Sequence, residues 1–384
     1  MFRTCTSPPS PSSLRSPHRS PALRPNSVRA GIGIAVLLAA VFCPGIARAA
    51  DYRLVQMIVV PGLALASYDI SFVDPDTQLY YFADRSNARV DIFDAKKNLW
   101  IGSVGGFKGF TGNNDTSGPD GVVAEGDRLY AGDGDSTLKV IDVESRTIIN
   151  TVSTGGTKRV DEMALDSQGR RLLVVNNADD PPFMTLISTK PGNAILFGHI
   201  TVPGATGGLE QPVWNPSTKR FYISVPELNG DPAHSGVAVL DPKTGLVEKV
   251  YDVGSCGPAG IALGPNQHLL LGCAQQPSVV INAKTGAIVA TIPQVGGSDE
   301  VWYNPGDNRY YLAARNNPGG PVLGVVDAAT NLWIQNLATA PNSHSVAANP
   351  RTNDVFVPLT ASPTSPCPAG CIGVFQDFSA RDLD

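Results

Sequence analysis

The chain has 384 residues, with 29 Lys and Arg against 34 Asp and Glu and a formal charge of −5. Charged residues make up 16 %, below the roughly 25 % of ordinary soluble domains. Gly (39) and Pro (32) are abundant, which excludes a fold of long helices and predicts many turns.

Residues 1–49 form a segment apart. They hold six arginines and no acid, then an apolar run over 31–42, Pro44 and the tripeptide Ala47-Arg48-Ala49. A basic flank, a short apolar core and a small-x-small end predict a secretory signal, cleaved after Ala49 or Ala50. The apolar run falls short of the about 20 residues that span a bilayer. Bulky Phe42 before Cys43 argues against lipidation, so no membrane insertion is expected after cleavage. Removing 1–49 takes six of the 29 basic residues and none of the 34 acids, leaving 23 against 34, a charge of −11. Such a chain offers no electrostatic footprint for nucleic acid or for anionic membranes. The expected location is periplasmic or secreted. The expected partner is a small-molecule ligand or a periplasmic protein.

Past this segment one phrase recurs: an acidic or polar residue, four mostly apolar residues, Asn, Asp or Gly, then often Pro. It appears at 69–75 (Asp-Ile-Ser-Phe-Val-Asp-Pro), 120–126, 161–167, 210–216, 259–265, 299–305 and 344–350 (His-Ser-Val-Ala-Ala-Asn-Pro). After each copy come a turn and an apolar run, such as 79–83 or 310–313. A polar loop precedes a third run, such as 90–93, 138–141 or 237–240. Most third runs end in Asp or Asn before a turn, and a fourth run follows, as at 148–152 and 288–292. Four short β-rich segments per repeat of 40–51 residues predict an all-β, seven-bladed β-propeller with four-stranded blades. The last copy stops early, so a strand at 54–60 is expected to complete the last blade and close the ring. Residues 50–384 are thus expected to form a single propeller.

The pattern resembles the YVTN-type repeat propellers over essentially all of 50–384. The matching pieces are 136–142 (Ser-Thr-Leu-Lys-Val-Ile-Asp), 286–292 and Lys-Thr-Gly at 243–245. The resemblance implies the fold. Such propellers include enzymes, electron-transfer partners and binding modules, so function has to be read from the site.

Four cysteines lie outside 1–49. Cys256 lies just before the first strand expected in blade five and Cys273 just after its second, so antiparallel pairing brings them together. Cys367 and Cys371 share a loop of blade seven. Two local disulfides fit an exported protein.

The first residues of the seven phrases are Asp69, Asp120, Asp161, Glu210, Ala259, Asp299 and His344. Equivalent positions in a propeller sit side by side around the axis, so five carboxylates meet there. They must hold protons, stay hydrated or share a cation. Asp69, Asp120, Asp161, Glu210 and Asp299 are therefore candidate metal ligands, for Ca²⁺ or Mg²⁺ before Mn²⁺, Fe²⁺ or Zn²⁺. The competing expectation is a water-filled acidic channel. The next register adds Glu162, Gln211, Glu300 and Ser345. His344 and Glu300 are candidate bases, while Arg315, His234, Glu162 and Gln211 are candidates for substrate binding, an arginine above the ring being suited to a carboxylate. Asp133-Gly-Asp135, His199, His268 and the four tryptophans read as structural. No nucleophile elbow, phosphate loop, dinucleotide fingerprint or haem-attachment motif occurs, so neither a nucleotide nor covalent haem is expected.

Two functions fit. One is a metal-dependent hydrolase, lactonase or lyase, whose architecture would be similar to the senescence marker protein/gluconolactonase family. This chain has acids where that family places two asparagine ligands, and no catalytic residue carries over. The other is a non-catalytic periplasmic propeller that binds a ligand or protein.

Overall fold

The computed structural model describes residues 51–365 and 367–379. The segment read as a signal lies outside the described residues. Seven four-stranded antiparallel sheets follow one another along the chain. Blade one runs Ser71–Asp74, Leu79–Asp84, Arg89–Asp94 and Leu99–Gly105, from the axis outward. The sequence pattern follows from this layout. Second and third strands, such as Leu79–Asp84 and Phe183–Ser188, are covered on both faces by neighbouring blades and read as continuous apolar runs. Outermost strands have one wet face, and Thr147–Ser153 alternates strictly between half-buried and exposed.

In most blades an Asp or Asn closes the third strand and shapes the turn to the fourth. Asp94 accepts from the backbone N–H groups of Lys96 and Lys97 (3.0 and 2.9 Å), and Asp327 from those of Ala329 and Thr330 (3.0 and 2.9 Å). Asn282 does the same for Lys284 and Thr285. In blade four this turn ends at Gly245, with φ of +69°, where a Cβ would stand 2.6 Å from the Phe197 ring of the preceding blade. Only glycine fits both demands.

Blade seven closes the ring. Its strands from the axis outward are Ala347–Ala348, Val355–Leu359, Cys371–Asp377 and the N-terminal Tyr52–Val59. Pairing starts at Tyr52, two residues before the expected strand, and runs to Val59 opposite Cys371. The reason is an aromatic anchor, since the Tyr52 hydroxyl is hydrogen-bonded to that of Tyr311, 3.0 Å away in blade six. The core lies between blades; Tyr80 of blade one stacks on Phe356 of blade seven at 4.8 Å. The disulfides are Cys256–Cys273 and Cys367–Cys371, as expected. Among the described residues, no helix is long and apolar enough to cross a membrane.

Around the axis the repeat phrase keeps its register. The first residue of the phrase extends the ladder: Asp69, Asp120, Asp161, Glu210 and Asp299 each donate their N–H to the second strand of their own blade. Neighbouring blades are also tied directly, Gly121 N–H to Asp161 (3.1 Å), Gln211 to Ala259 (3.1 Å) and Glu300 to His344 (3.2 Å). Residues equivalent in sequence are thus neighbours in space.

Candidate functional site

The ring acids do meet at one mouth of the channel. One oxygen each from Asp69, Asp120 and Asp161 lies within 4.8 Å of the others, and all three residues are buried. They are not bare. Arg85, 3 % exposed, stands between two of them: its Nε donates to Asp120 Oδ1 at 2.9 Å, and its Nη2 bonds both Asp120 and Asp69. Arg159 donates to Asp161 through Nε (3.0 Å) and Nη2 (2.7 Å), and to Asn177 Oδ1 (3.2 Å). Arg315 pairs with Asp299 at 2.8 Å.

Arg85 and Arg315 occupy equivalent places, each directly after the second strand of its blade. In two other blades the same position carries a polar side chain at this end of the channel. Asn177 holds it in blade three and donates to Glu210 at 3.3 Å, and Thr360 holds it in blade seven beside the Tyr68 hydroxyl. Arg159 comes from the connection between blades two and three, two residues before Asp161. In extended backbone that spacing sets both side chains on one side.

The electrostatics follow from burial and from these cations. Burial opposes ionisation of Asp69, but Arg85 and then His344 overcome it and hold its pKa below the usual carboxylate range. Asp120 shares the same guanidinium and lies deeper; burial outweighs Arg85 and pushes it well up. Its second oxygen is buried with no hydrogen-bond partner among the described residues. Two carboxyls on one cation cannot both ionise cheaply. Burial raises Asp161 to about 6 against the pull of Arg159. It raises Glu210 to about 8, helped by the charges of Asp161 and Asp299. Burial also works against Arg85 and Arg159, yet the surrounding carboxylates hold both above the usual guanidinium value. The ring thus settles its repulsion with protons and arginines.

His344 is 5 % exposed and lies flat on Tyr68, ring centroids 4.7 Å apart. Its Nδ1 is 2.7 Å from the Asn342 carbonyl and its Nε2 is 3.3 Å from Asp69. With the carbonyl accepting from Nδ1–H, Nε2 is the nitrogen that faces Asp69 and the mouth. Around these groups lies a cavity of about 330 Å³ whose walls carry Arg85, Arg159, Arg315, Glu210, Asp299 and His344.

The other sequence candidates divide. Glu162 reaches both this cavity and a second one at the opposite mouth. Glu300 and Gln211 line only the second. Glu300 accepts from Ser345 Oγ (2.6 Å) and Val346 N–H (2.9 Å), and burial pushes its pKa well up. Gln211 Oε1 accepts from the backbone of Ile261 (2.8 Å) and Val301 (3.2 Å), tying three blades at the axis. The two candidate bases, His344 and Glu300, therefore open toward different cavities. His234 does not reach the mouth. Its loop folds back on itself, with Leu228 N–H on the His234 carbonyl at 2.8 Å, and its exposed ring faces Asp252 at 3.1 Å. Asp133 ties its own turn to the connection between blades one and two, accepting from Gly134 and Lys108 N–H. His199 stacks on Phe183 at the periphery, and His268 meets Asn331. Trp214 and Trp302 pack partly against the core as expected, but both also face the second cavity.

No protein-family model and no curated protein sequence matches the chain. Among solved structures 1654 chains match, which marks a widespread shape. One of them, a chain of the structure titled "Crystal Structure of Mitotic Checkpoint Complex", superposes with a TM-score of 0.65, covering 93 % of this chain and 98 % of that one. At 13 % identity that likeness speaks to the fold alone.

Proposed function

We propose that this chain is an exported seven-bladed propeller that binds a small carboxylate-bearing molecule at the charged mouth of its channel. The observation that carries the reading is the cavity of about 330 Å³ where three arginines, Glu210 and His344 converge. Arg315 and Arg159 are the outer pair, their side chains 36 % and 15 % exposed, and a guanidinium recognises a carboxylate by paired N–H donors. Glu210, which keeps its proton to about pH 8, and His344 supply bonds for ligand hydroxyl or carbonyl groups. Two disulfides and the basic-apolar leader motif support export.

The test is calorimetric titration with a panel of small hydroxy- and keto-carboxylates, beside neutral polyols of the same size. The reading expects saturable binding of a carboxylate, weakened about tenfold or more in Arg315→Gln and Arg159→Gln. Equal binding by the polyols, or arginine variants that bind as well as the parent, would sink it.

A second reading rests on the three close carboxylate oxygens of Asp69, Asp120 and Asp161. The donor set suits a hard divalent cation, but Arg85 already bonds two of the three acids and would have to withdraw. Such an ion supplies Lewis acidity toward a lactone or ester carbonyl, and His344 is the base this chain offers in the same mouth. Metal analysis before and after chelation decides. One equivalent per chain, lost in Asp161→Asn, favours this reading, and no bound metal with an unchanged melting temperature removes it.

A further inference from the structure

The opposite mouth of the channel holds a larger cavity, of about 470 Å³, within the range of small-molecule sites. Its walls are aromatic and apolar, with Phe72 and Trp302 edge to face at 5.5 Å and Trp214 beside them. Every ionisable side chain on its lining except the Tyr303 phenol is a carboxyl: Asp74, Asp76, Glu125, Glu162 and Glu300. No Lys, Arg or His lines it.

Its floor contains a group the rest of the molecule leaves unused. Glu300 is engaged by Ser345 and Val346, and Asp74 by the turn at Asp76 and Thr77. Glu162 is 4 % exposed, yet its carboxyl accepts or donates no hydrogen bond among the described residues, and it faces the cavity. A carboxyl that opens on the cavity and is engaged by no protein group is available to bond a ligand.

We propose that this second mouth binds a small organic ammonium ion, its apolar body against Phe72, Trp214 and Trp302 and its charged nitrogen on Glu162. Aromatic faces attract a cation through their quadrupole, the surrounding acids favour positive charge, and a cation seated beside Glu162 favours the ionised form of that carboxyl. The same acids repel an anion, so the two mouths of the channel would select ligands of opposite charge. The site shares only Glu162 and Ile70 with the charged mouth and stands whether or not a carboxylate binds there.

The experiment uses three probes of similar size: phenethylammonium, its neutral analogue 2-phenylethanol and the anion 3-phenylpropionate, titrated against the chain by calorimetry. Phenethylammonium is expected to bind saturably and at least about tenfold tighter than the alcohol, with the anion weakest. Glu162→Gln keeps the side-chain shape and should cost the ammonium about tenfold while leaving the alcohol unchanged. Glu125→Gln, at the half-buried lip, should cost it less, and serves where the first variant misfolds. Arg315→Gln should leave the ammonium affinity unchanged. Ammonium binding no tighter than the alcohol, indifference to both Glu variants, or a loss in Arg315→Gln would overturn the proposal.

Discussion

Replacing Arg85 by Met tests whether this guanidinium balances the ring. The substitution keeps an unbranched chain in a buried slot but removes the cation from between Asp69 and Asp120, whose side chains are 10 % and 0 % exposed. Stranding buried carboxyls this way costs about 3–5 kcal/mol. The cost should depend on pH, with a sign the structure fixes. In the parent, Asp69 is held below its unfolded pKa, so its contribution is present above the unfolded value and fades only as pH falls through the folded one. Without Arg85, burial of Asp69 is opposed only by His344 and Arg159, and its pKa rises. The contribution then exists below the unfolded pKa and is lost as pH rises. A carboxyl that stays protonated in the fold while ionised in the unfolded chain tilts stability by about 1.4 kcal/mol per pH unit. Across the three units from pH 5 to pH 8 the tilt sums to about 4 kcal/mol, as large as the whole penalty. Urea denaturation of parent and variant at both pH values is the assay. Arg85→Met should be clearly destabilised at pH 8 and recover most of the deficit at pH 5. Adding Asp69→Asn should restore it at pH 8 to within about 1–2 kcal/mol. A deficit that is small, or the same at both pH values, would refute the balance described for the ring.

Glu210 keeps its proton in the fold up to about pH 8, so its effect on stability is lost as pH rises from the unfolded value through that point. Glu210→Gln should therefore raise the melting temperature more at pH 8 than at pH 5, read by calorimetry; equal shifts would mean that burial does not control this group. The Cys256–Cys273 disulfide closes a loop with a sequence separation of 17, for which the chain-entropy scale gives about 3 kcal/mol. The Cys367–Cys371 separation is only 4, so Cys256→Ser should destabilise markedly more than Cys367→Ser in urea, and the reverse order would discount the loop argument.

What the sequence reveals here depends on what the fold repeats. Four strands and an inner phrase recur in each blade, and an Asx turn in most, because each blade solves the same problem, so fold, strand count and acid register are all legible. The disulfide between Cys256 and Cys273 is legible for the same reason. Arg315 is readable as a residue over the ring, but the exact equivalence of Arg85, 16 residues after Asp69, with Arg315, 16 after Asp299, emerges only when the register is carried past the second strand. Arg159 escapes notice because it sits in a connection between blades, where lengths vary and register is lost. His234 misleads because a loop of its length folds onto itself instead of over the axis. Trp214 and Trp302 look like core, since a channel wall and a core face share one apolar pattern.

The charge states along the axis have a geometric cause. Seven equivalent positions converge on one circle, so like charges meet across blades regardless of the sequence spacing between them. Relief comes from the loops of one face only, because Arg85 and Arg315 follow second strands and Arg159 follows a blade-to-blade connection, all at the same end. Asp69, within reach of a guanidinium, ionises easily; Asp120, sharing that guanidinium, does not. One register deeper, Glu162 and Glu300 have no arginine bond, and burial drives both well above the ordinary carboxyl range. The channel therefore passes from arginine-paired acids at one mouth to aromatic walls and carboxyls without an arginine at the other. That gradient follows from where loops can place cations, and it is what makes the two mouths chemically different sites.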